Sequence, residues 1–275
     1  MYRELIKLKM SDTIFNIETV QTKVVKDLVK ALNLILTDTN FVFSPNGIRI
    51  MTTDPSQTAV VHLKLNGFEN YSCSKVVDRG ISISKLYSAV KVANNKDVFR
   101  MYNPRNDENK LVLVFDNDEK KQKTIRTLSL LDMPNKELNI PNIEFNTILE
   151  MPSADLHKYC QDMKGISDRI EIKNIGQQLI LYCEDPDSGS SQKVILGDAK
   201  DSSSSVNGSN ITFEKNSNNN IIQGYYNLKL LELFTKCSDL CKTVKICMKN
   251  DFPIFLIYKV GDLGELKLGL SPLHQ

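Results

Sequence analysis

Four short amphipathic segments interrupt a chain that otherwise reads as strands, and their spacing constrains the fold more than any motif does. They begin at residues 21, 84, 153 and 227, so successive starts lie 63, 69 and 74 residues apart. Apolar residues recur with helical period in Gln21–Leu36, Ser84–Ala93, Ser153–Lys164 and Asn227–Lys236. Ser84 and Ser153 are the expected N-caps of the second and third. Elsewhere apolar and polar residues alternate. That predicts strands over Thr13–Thr19, Asn40–Ser44, Ile48–Thr52, Thr58–Leu65 and Leu111–Phe115. It also predicts them over Glu144–Glu150, Arg169–Lys173, Gln178–Cys183, Thr243–Met248, Ile254–Val260 and Glu265–Leu270. Each helical segment follows a strand and precedes several more. The pattern fits one strand–helix–strands unit used four times, or two similar halves.

Two stretches break the pattern. Leu130–Pro141 carries two prolines and no period, as an extended connector between halves would. Asp198–Asn220, with its Ser202–Ser205 and Asn218–Asn220 runs, reads as a mobile surface loop. The 275 residues suffice for two domains. Apolar residues at 41% and charged residues at 25% are ordinary for a globular protein. No apolar run reaches the ~18 residues of a membrane span, and residues 1–10 lack a signal-peptide core.

A net charge of +2 says little about partners; the placement of lysines says more. On the first helix Lys23, Lys26 and Lys30 fall at i, i+3 and i+7, on one face, and Asn33 and Thr37 extend the stripe. The second helix turns Lys85 and Lys91 outward, and the third Lys158, Gln161 and Lys164. The fourth offers Lys229 and Lys236, with Glu232 between them. Each helix alone is an ordinary amphipathic helix with solvated lysines. Four with the same bias, on one side of the protein, would make a surface that attracts phosphates without reading bases. The helices hold no aromatic cluster for stacking on single-stranded bases, so the partner expected is duplex DNA.

No catalytic constellation stands out. His62, His157 and His274 have no partners at metal or triad spacing, and no phosphate-binding, nucleophile-elbow or zinc-protease motif occurs. Asp54, Asp155, Asp168 and Asp251 are the carboxylates a metal-dependent nuclease would have to bring together, and nothing in their spacing demands it. The six cysteines read as reduced core thiols. No catalytic residue, metal ligand or cofactor is therefore expected.

An ordered series of segments runs through both halves. The first half carries Val24-Val25-Lys26-Asp27-Leu28-Val29-Lys30-Ala31-Leu32, Phe41-Val42-Phe43-Ser44-Pro45-Asn46-Gly47-Ile48, Thr53-Asp54-Pro55-Ser56 and Gly67-Phe68-Glu69-Asn70-Tyr71-Ser72-Cys73. The second carries Leu138-Asn139-Ile140-Pro141, Met151-Pro152-Ser153, Cys160-Gln161-Asp162, Leu233-Phe234-Thr235-Lys236, Asp251-Phe252-Pro253 and Leu266-Lys267-Leu268-Gly269-Leu270-Ser271-Pro272.

In that order the segments resemble the eukaryotic-type proliferating cell nuclear antigen family of DNA sliding clamps. The resemblance implies an α+β fold of two similar clamp domains, with helices on one face of antiparallel sheets. These would assemble into a closed homotrimeric ring that a clamp loader opens around duplex DNA. It implies a processivity factor without catalysis, acting in the nucleus or, for a viral chain, in a cytoplasmic replication compartment. The domains would span residues 15–129 and 143–275, joined by a connector at 130–142 and preceded by an extension at 1–14. DNA polymerase, clamp loader, flap nuclease and ligase would dock through short glutamine-aromatic motifs. Their pocket would use Thr53, Val60, Leu138, Ile140, Pro141, Pro253, Gly269, Ser271 and Pro272. Thr53, Val60 and Gly269 depart from the family's methionine, leucine and aromatic residue, which predicts a shallower or retuned pocket. Gly176 stands where the family's modified lysine would be, with Lys173 nearest. Lys123–Leu130 and Gln192–Leu196 are the candidate edge strands for ring closure. A checkpoint-type heterotrimeric clamp subunit and a viral factor that forms no ring are the alternatives of the same fold. A metal-dependent nuclease is the alternative of a different class.

Overall fold

The structure, a computed structural model, describes residues 12–54, 56–134, 143–197, 211–216 and 220–273. Its first half runs β1 (Thr13–Thr19), α1 (Thr22–Ile35), β2 (Asp38–Ser44), β3 (Gly47–Thr53), β4 (Ala59–Leu65), β5 (Asn70–Cys73), β6 (Val77–Ser82), α2 (Ile83–Val90), β7 (Val98–Pro104), β8 (Lys110–Asn117) and β9 (Gln122–Ser129). The second half repeats that order. It runs β10 (Thr147–Pro152), α3 (Ser153–Lys164), β11 (Arg169–Ile175), β12 (Gln178–Glu184), β13 (Ser191–Gly197), β14 (Thr212–Lys215), β15 (Ile222–Asn227), α4 (Leu228–Thr235), β16 (Thr243–Met248), β17 (Ile254–Val260) and β18 (Gly264–Leu270). A 3-10 turn, Lys236–Asp239, follows α4.

The pairings repeat as well. β1 lies antiparallel to β5 and β7, as β10 does to β14 and β16. β2 lies between β3 and β6, as β11 does between β12 and β15. Alternating burial in β1, β4 and β11 is the signature of a sheet with one face covered. The chain thus uses one strand–helix–strands unit four times, with β5 and β14 as short additions.

Two compact units emerge. The first takes in residues 12–52, 62–134 and 260–265. Leu28, Leu32, Leu86 and Val90 of its helices and Phe15, Phe43, Phe99 and Leu113 of its strands are buried. Phe15 and Phe43 stack with centroids 3.8 Å apart. The second takes in residues 53–61, 143–259 and 266–273. Leu156, Cys160 and Met163 of α3, Leu231 and Phe234 of α4, and Ile170, Ile172, Ile246 and Tyr258 of its strands are all buried. Each fully buried Leu, Ile or Phe contributes about 1.5–3 kcal/mol of transfer free energy.

Some expectations need correction. Ser84 and Ser153 lie inside their helices. Ser82 and Pro152 hold the cap positions, and neither side chain makes a capping bond. Among the described residues only Asn227 caps an α-helix by side chain, accepting from the Leu230 amide at 3.1 Å. The stretch read as a loop from Asp198 contains a strand, β14, paired with β10. The additional strands β5, β6, β7 and β15 sit where Gly, Arg, Asp or Asn interrupt the alternation. Among the described residues no helix is long and apolar enough to cross a membrane.

Candidate functional site

In the first unit α1 packs on α2, and their outward sides carry five lysines against one aspartate. Lys23, Lys30, Lys85 and Lys91 are exposed. Lys23 pairs with that aspartate, Asp27, one turn on at 2.9 Å. The Lys91 ammonium stands 5.8 Å from the Tyr87 ring centroid. Lys85 has no hydrogen bond or ion pair among the described residues. Lys26 is different. It is half-buried and donates to the Ala93 carbonyl and to Asn95 Oδ1, tying α1 to the end of α2. A cation at a helix C-terminus is favoured by the orphan carbonyls there, so Lys26 has a structural role beside any electrostatic one. Behind it, Asp97 accepts from the Asn94 amide at 2.8 Å and from Asn117 at 2.6 Å, which fixes the turn.

In the second unit α3 packs on α4, and the balance of charge is smaller. Lys158, Lys164, Lys229 and Lys236 share these helices and the residue following α4 with Asp155, Asp162 and Glu232. Lys158 is exposed and has no hydrogen bond or ion pair among the described residues. Lys229 pairs with Asp168 at 2.7 Å. Glu232 is the feature that sequence reading did not interpret. Its side chain is only 6% exposed, and each carboxylate oxygen meets one lysine. Lys164 Nζ lies 3.0 Å from Oε2, and Lys236 Nζ lies 3.3 Å from Oε1. His157 Nδ1, 2.9 Å from Thr235 Oγ1, adds a second tie between the helices.

Burial pushes the Glu232 carboxyl up. The hydrogen bonds from Lys164 and Lys236, together with their charges, outweigh this and hold it below its ordinary 4.5. A carboxyl whose pKa falls on folding adds stability above its unfolded pKa, and that stability is lost as pH falls through the folded value. Thermal melts from about pH 5 down to about pH 3 should therefore cost the parent more than Glu232→Gln. The difference is about 1 kcal/mol or less, because both lysines are over a third exposed. Equal losses would show that the pair contributes nothing.

The residues expected to form a docking pocket fall in the second unit, except that Leu138, Ile140 and Pro141 lie outside the described residues. Thr53 ends β3, Val60 lies in β4, Pro253 precedes β17, Gly269 lies in β18, and Ser271 and Pro272 follow it. The Ser271 amide donates to the Thr58 carbonyl at 2.8 Å, which places Ser271 beside β4. Asp54 orders the turn between, accepting from the Ala59 amide at 2.6 Å and Thr58 Oγ1 at 2.9 Å. Pro272 lines a cleft of about 550 Å³ with Tyr225, Asn250 and Asp251.

Gly269 is not simply a missing side chain. A Cβ there would meet the Phe255 ring at 2.8 Å, so that ring fills the space over the glycine. Phe145 packs edge-on to Phe255, with centroids 5.6 Å apart. The space a side chain of β18 would take is thus filled from β17 by a ring that is itself only 6% exposed. A period-two reading of single strands has no means of finding such an exchange.

Among the described residues no three His, Cys, Asp or Glu side chains converge as metal ligands. Asp54 is engaged by its own turn and Asp168 by Lys229. Burial raises the Cys160 and Cys237 thiols to about 12 and Cys247 to about 11, which suits core packing rather than nucleophilic chemistry.

Comparison with known proteins covers nearly the whole chain. Residues 14–137 match the family described as proliferating cell nuclear antigen, N-terminal domain, and residues 139–273 match its C-terminal domain. A probable DNA polymerase sliding clamp of Paramecium bursaria Chlorella virus 1 is 30% identical over 266 residues, 95% of this chain and 98% of the relative. The proliferating cell nuclear antigen of Dictyostelium discoideum is 26% identical over 260 residues, 94% of this chain and 98% of the relative.

Proposed function

The chain belongs to the proliferating cell nuclear antigen family, and from that membership we propose that it is a DNA sliding clamp, a processivity factor that encircles duplex DNA and does no chemistry of its own. The observation that carries this reading is the doubled order of elements. Each half sets two adjoining lysine-bearing helices on antiparallel sheets, and the two halves match the family's two domains in order. Lysines that meet phosphates without base contacts hold DNA while leaving its sequence unread. On this reading the domains span 15–129 and 143–275, with a connector at 130–142 and an N-terminal extension at 1–14.

The working form is a homotrimer. Most strands at the ends of the sheets are short or covered among the described residues. β5 and β14 have four residues each. β6 is bridged at Gly80 by Leu131, and β15 receives the Leu273 amide on the Tyr225 carbonyl. β9 and β13 are the long terminal strands left, with eight and seven residues. Pairing β9 of one copy with β13 of the next would close a ring and leave neither edge exposed.

Replication and repair proteins, among them a DNA polymerase, clamp loader, flap nuclease and ligase, would dock on the second unit through short glutamine-aromatic motifs. Thr53, Val60, Pro253, Gly269, Ser271 and Pro272 would form the wall, with Leu138, Ile140 and Pro141 of the connector as lid. The site of action is the nucleus or a viral replication compartment. The test is primer extension on singly primed circular DNA with a clamp loader, ATP and a polymerase of the same source. Products should lengthen several-fold when the protein is present and loaded. Product lengths that ignore it would refute the function.

A further inference from the structure

We propose that Glu232 withholds Lys164 and Lys236 from DNA, so that the phosphate backbone is held chiefly by the α1–α2 face and only weakly by the α3–α4 face. This rests on the reading that these helices face duplex DNA. Glu232 lies between α3 and the residue that follows α4, 6% exposed, with one lysine on each carboxylate oxygen at 3.0 and 3.3 Å. A lysine that turned to a phosphate would leave a nearly buried carboxylate with one partner. Taking a partner from a nearly buried carboxylate costs more than opening a pair that stands in water. An exposed pair such as Lys23–Asp27 opens at little cost, because water and salt already screen it.

The rest of the surface points the same way. The α1–α2 face sets Lys23, Lys26, Lys30, Lys85 and Lys91 against Asp27 alone. The α3–α4 face sets four lysines against Asp155, Asp162 and Glu232. The two halves share one order of elements, yet they differ in the charge their helices present. Glu232 is the residue that makes two of the second half's lysines unavailable. Weak hold on one face leaves the duplex freer to shift there, which suits a protein that must slide.

Two measurements on the full-length protein test this. In the first, anisotropy titrations of a short labelled duplex at several salt concentrations compare the parent with Glu232→Gln. Freeing two lysines should steepen the slope of log K against log salt by about 1–2, a gain of about 4- to 16-fold in relative affinity between 200 and 50 mM salt. Adding Lys164→Met and Lys236→Met to Glu232→Gln should abolish that gain. An unchanged slope in a folded Glu232→Gln protein would overturn the proposal.

The second needs no variant. Lysine acetylation is read by mass spectrometry with and without duplex. Lys23, Lys30, Lys85 and Lys91 should be protected by DNA, while Lys164 and Lys236 react equally in both. Protection of Lys164 and Lys236 alongside the others would overturn the proposal and leave the DNA reading intact. Protection of no helix lysine would overturn both.

Discussion

Replacing Ile125 and Ile195 by aspartate should convert a particle of three chains into single chains. Both isoleucines sit on the long terminal strands β9 and β13, and they are 52% and 53% exposed. An isoleucine left in water on a strand edge forgoes stabilisation that a paired neighbour would supply, and a carboxylate buried in its place would lack a partner. Lys123, Arg126 and Lys193 flank these positions, charges that discourage pairing in other registers. Neither isoleucine belongs to its unit's buried core, so each unit should keep its fold. Light scattering should report three times the 31.2 kDa chain for the parent and one chain for the double variant. A parent that stays monomeric at micromolar concentration would end the ring reading. A double variant that remains three chains would move the interface elsewhere.

Neutralising the α1 stripe should have the second large effect. Lys23→Ala, Lys26→Ala and Lys30→Ala together remove three of the five lysines on the α1–α2 face. Duplex association should weaken, and the slope of log K against log salt should fall by up to about 2.7, at about 0.9 per phosphate contact. Lys26 also ties α1 to the Ala93 carbonyl, so the triple variant should melt somewhat lower. The Lys23→Ala, Lys30→Ala pair removes that complication and should still flatten the slope by up to about 1.8. A slope equal to the parent's in both variants would exclude α1 from the contact.

The parts of the molecule behind these two effects differ in how plainly they stand in the sequence. The stripe on α1 is legible because a 3.6-residue period places Lys23, Lys26 and Lys30 together whatever the tertiary structure. The four helices are legible for the same reason, and most core strands by their alternation with period two. β14 is not, because its short paired segment lies in a stretch rich in serine and asparagine, and the pairing with β10 comes from about 60 residues away. The start of α2 is displaced to Ile83, whose amide bonds to the Thr37 carbonyl at 2.8 Å, a partner far along the chain.

The same distinction runs through the candidate sites. Glu232 reads on α4 as a blemish in a basic stripe. Its meaning depends on Lys164, 68 residues earlier and on another helix. Gly269 reads as a lost aromatic. Only the fold shows the Phe255 ring standing over it. Local period reveals which face of an element looks outward; it carries no information about which outward charges find partners across elements. The lysines of α3 and α4 accordingly read as equal to those of α1 and α2, while three of the four are engaged by carboxylates.

Encirclement, rather than tight contact, should keep this protein on DNA. The direct measurement loads the protein onto a nicked circular duplex, removes unbound protein by gel filtration in high salt, and then cuts the circle once with a restriction enzyme. A closed clamp stays with the circle and slides off the linear product, so the bound fraction should collapse on cutting. Protein that remains on the linear duplex in high salt, or that never survives on the circle, would refute encirclement.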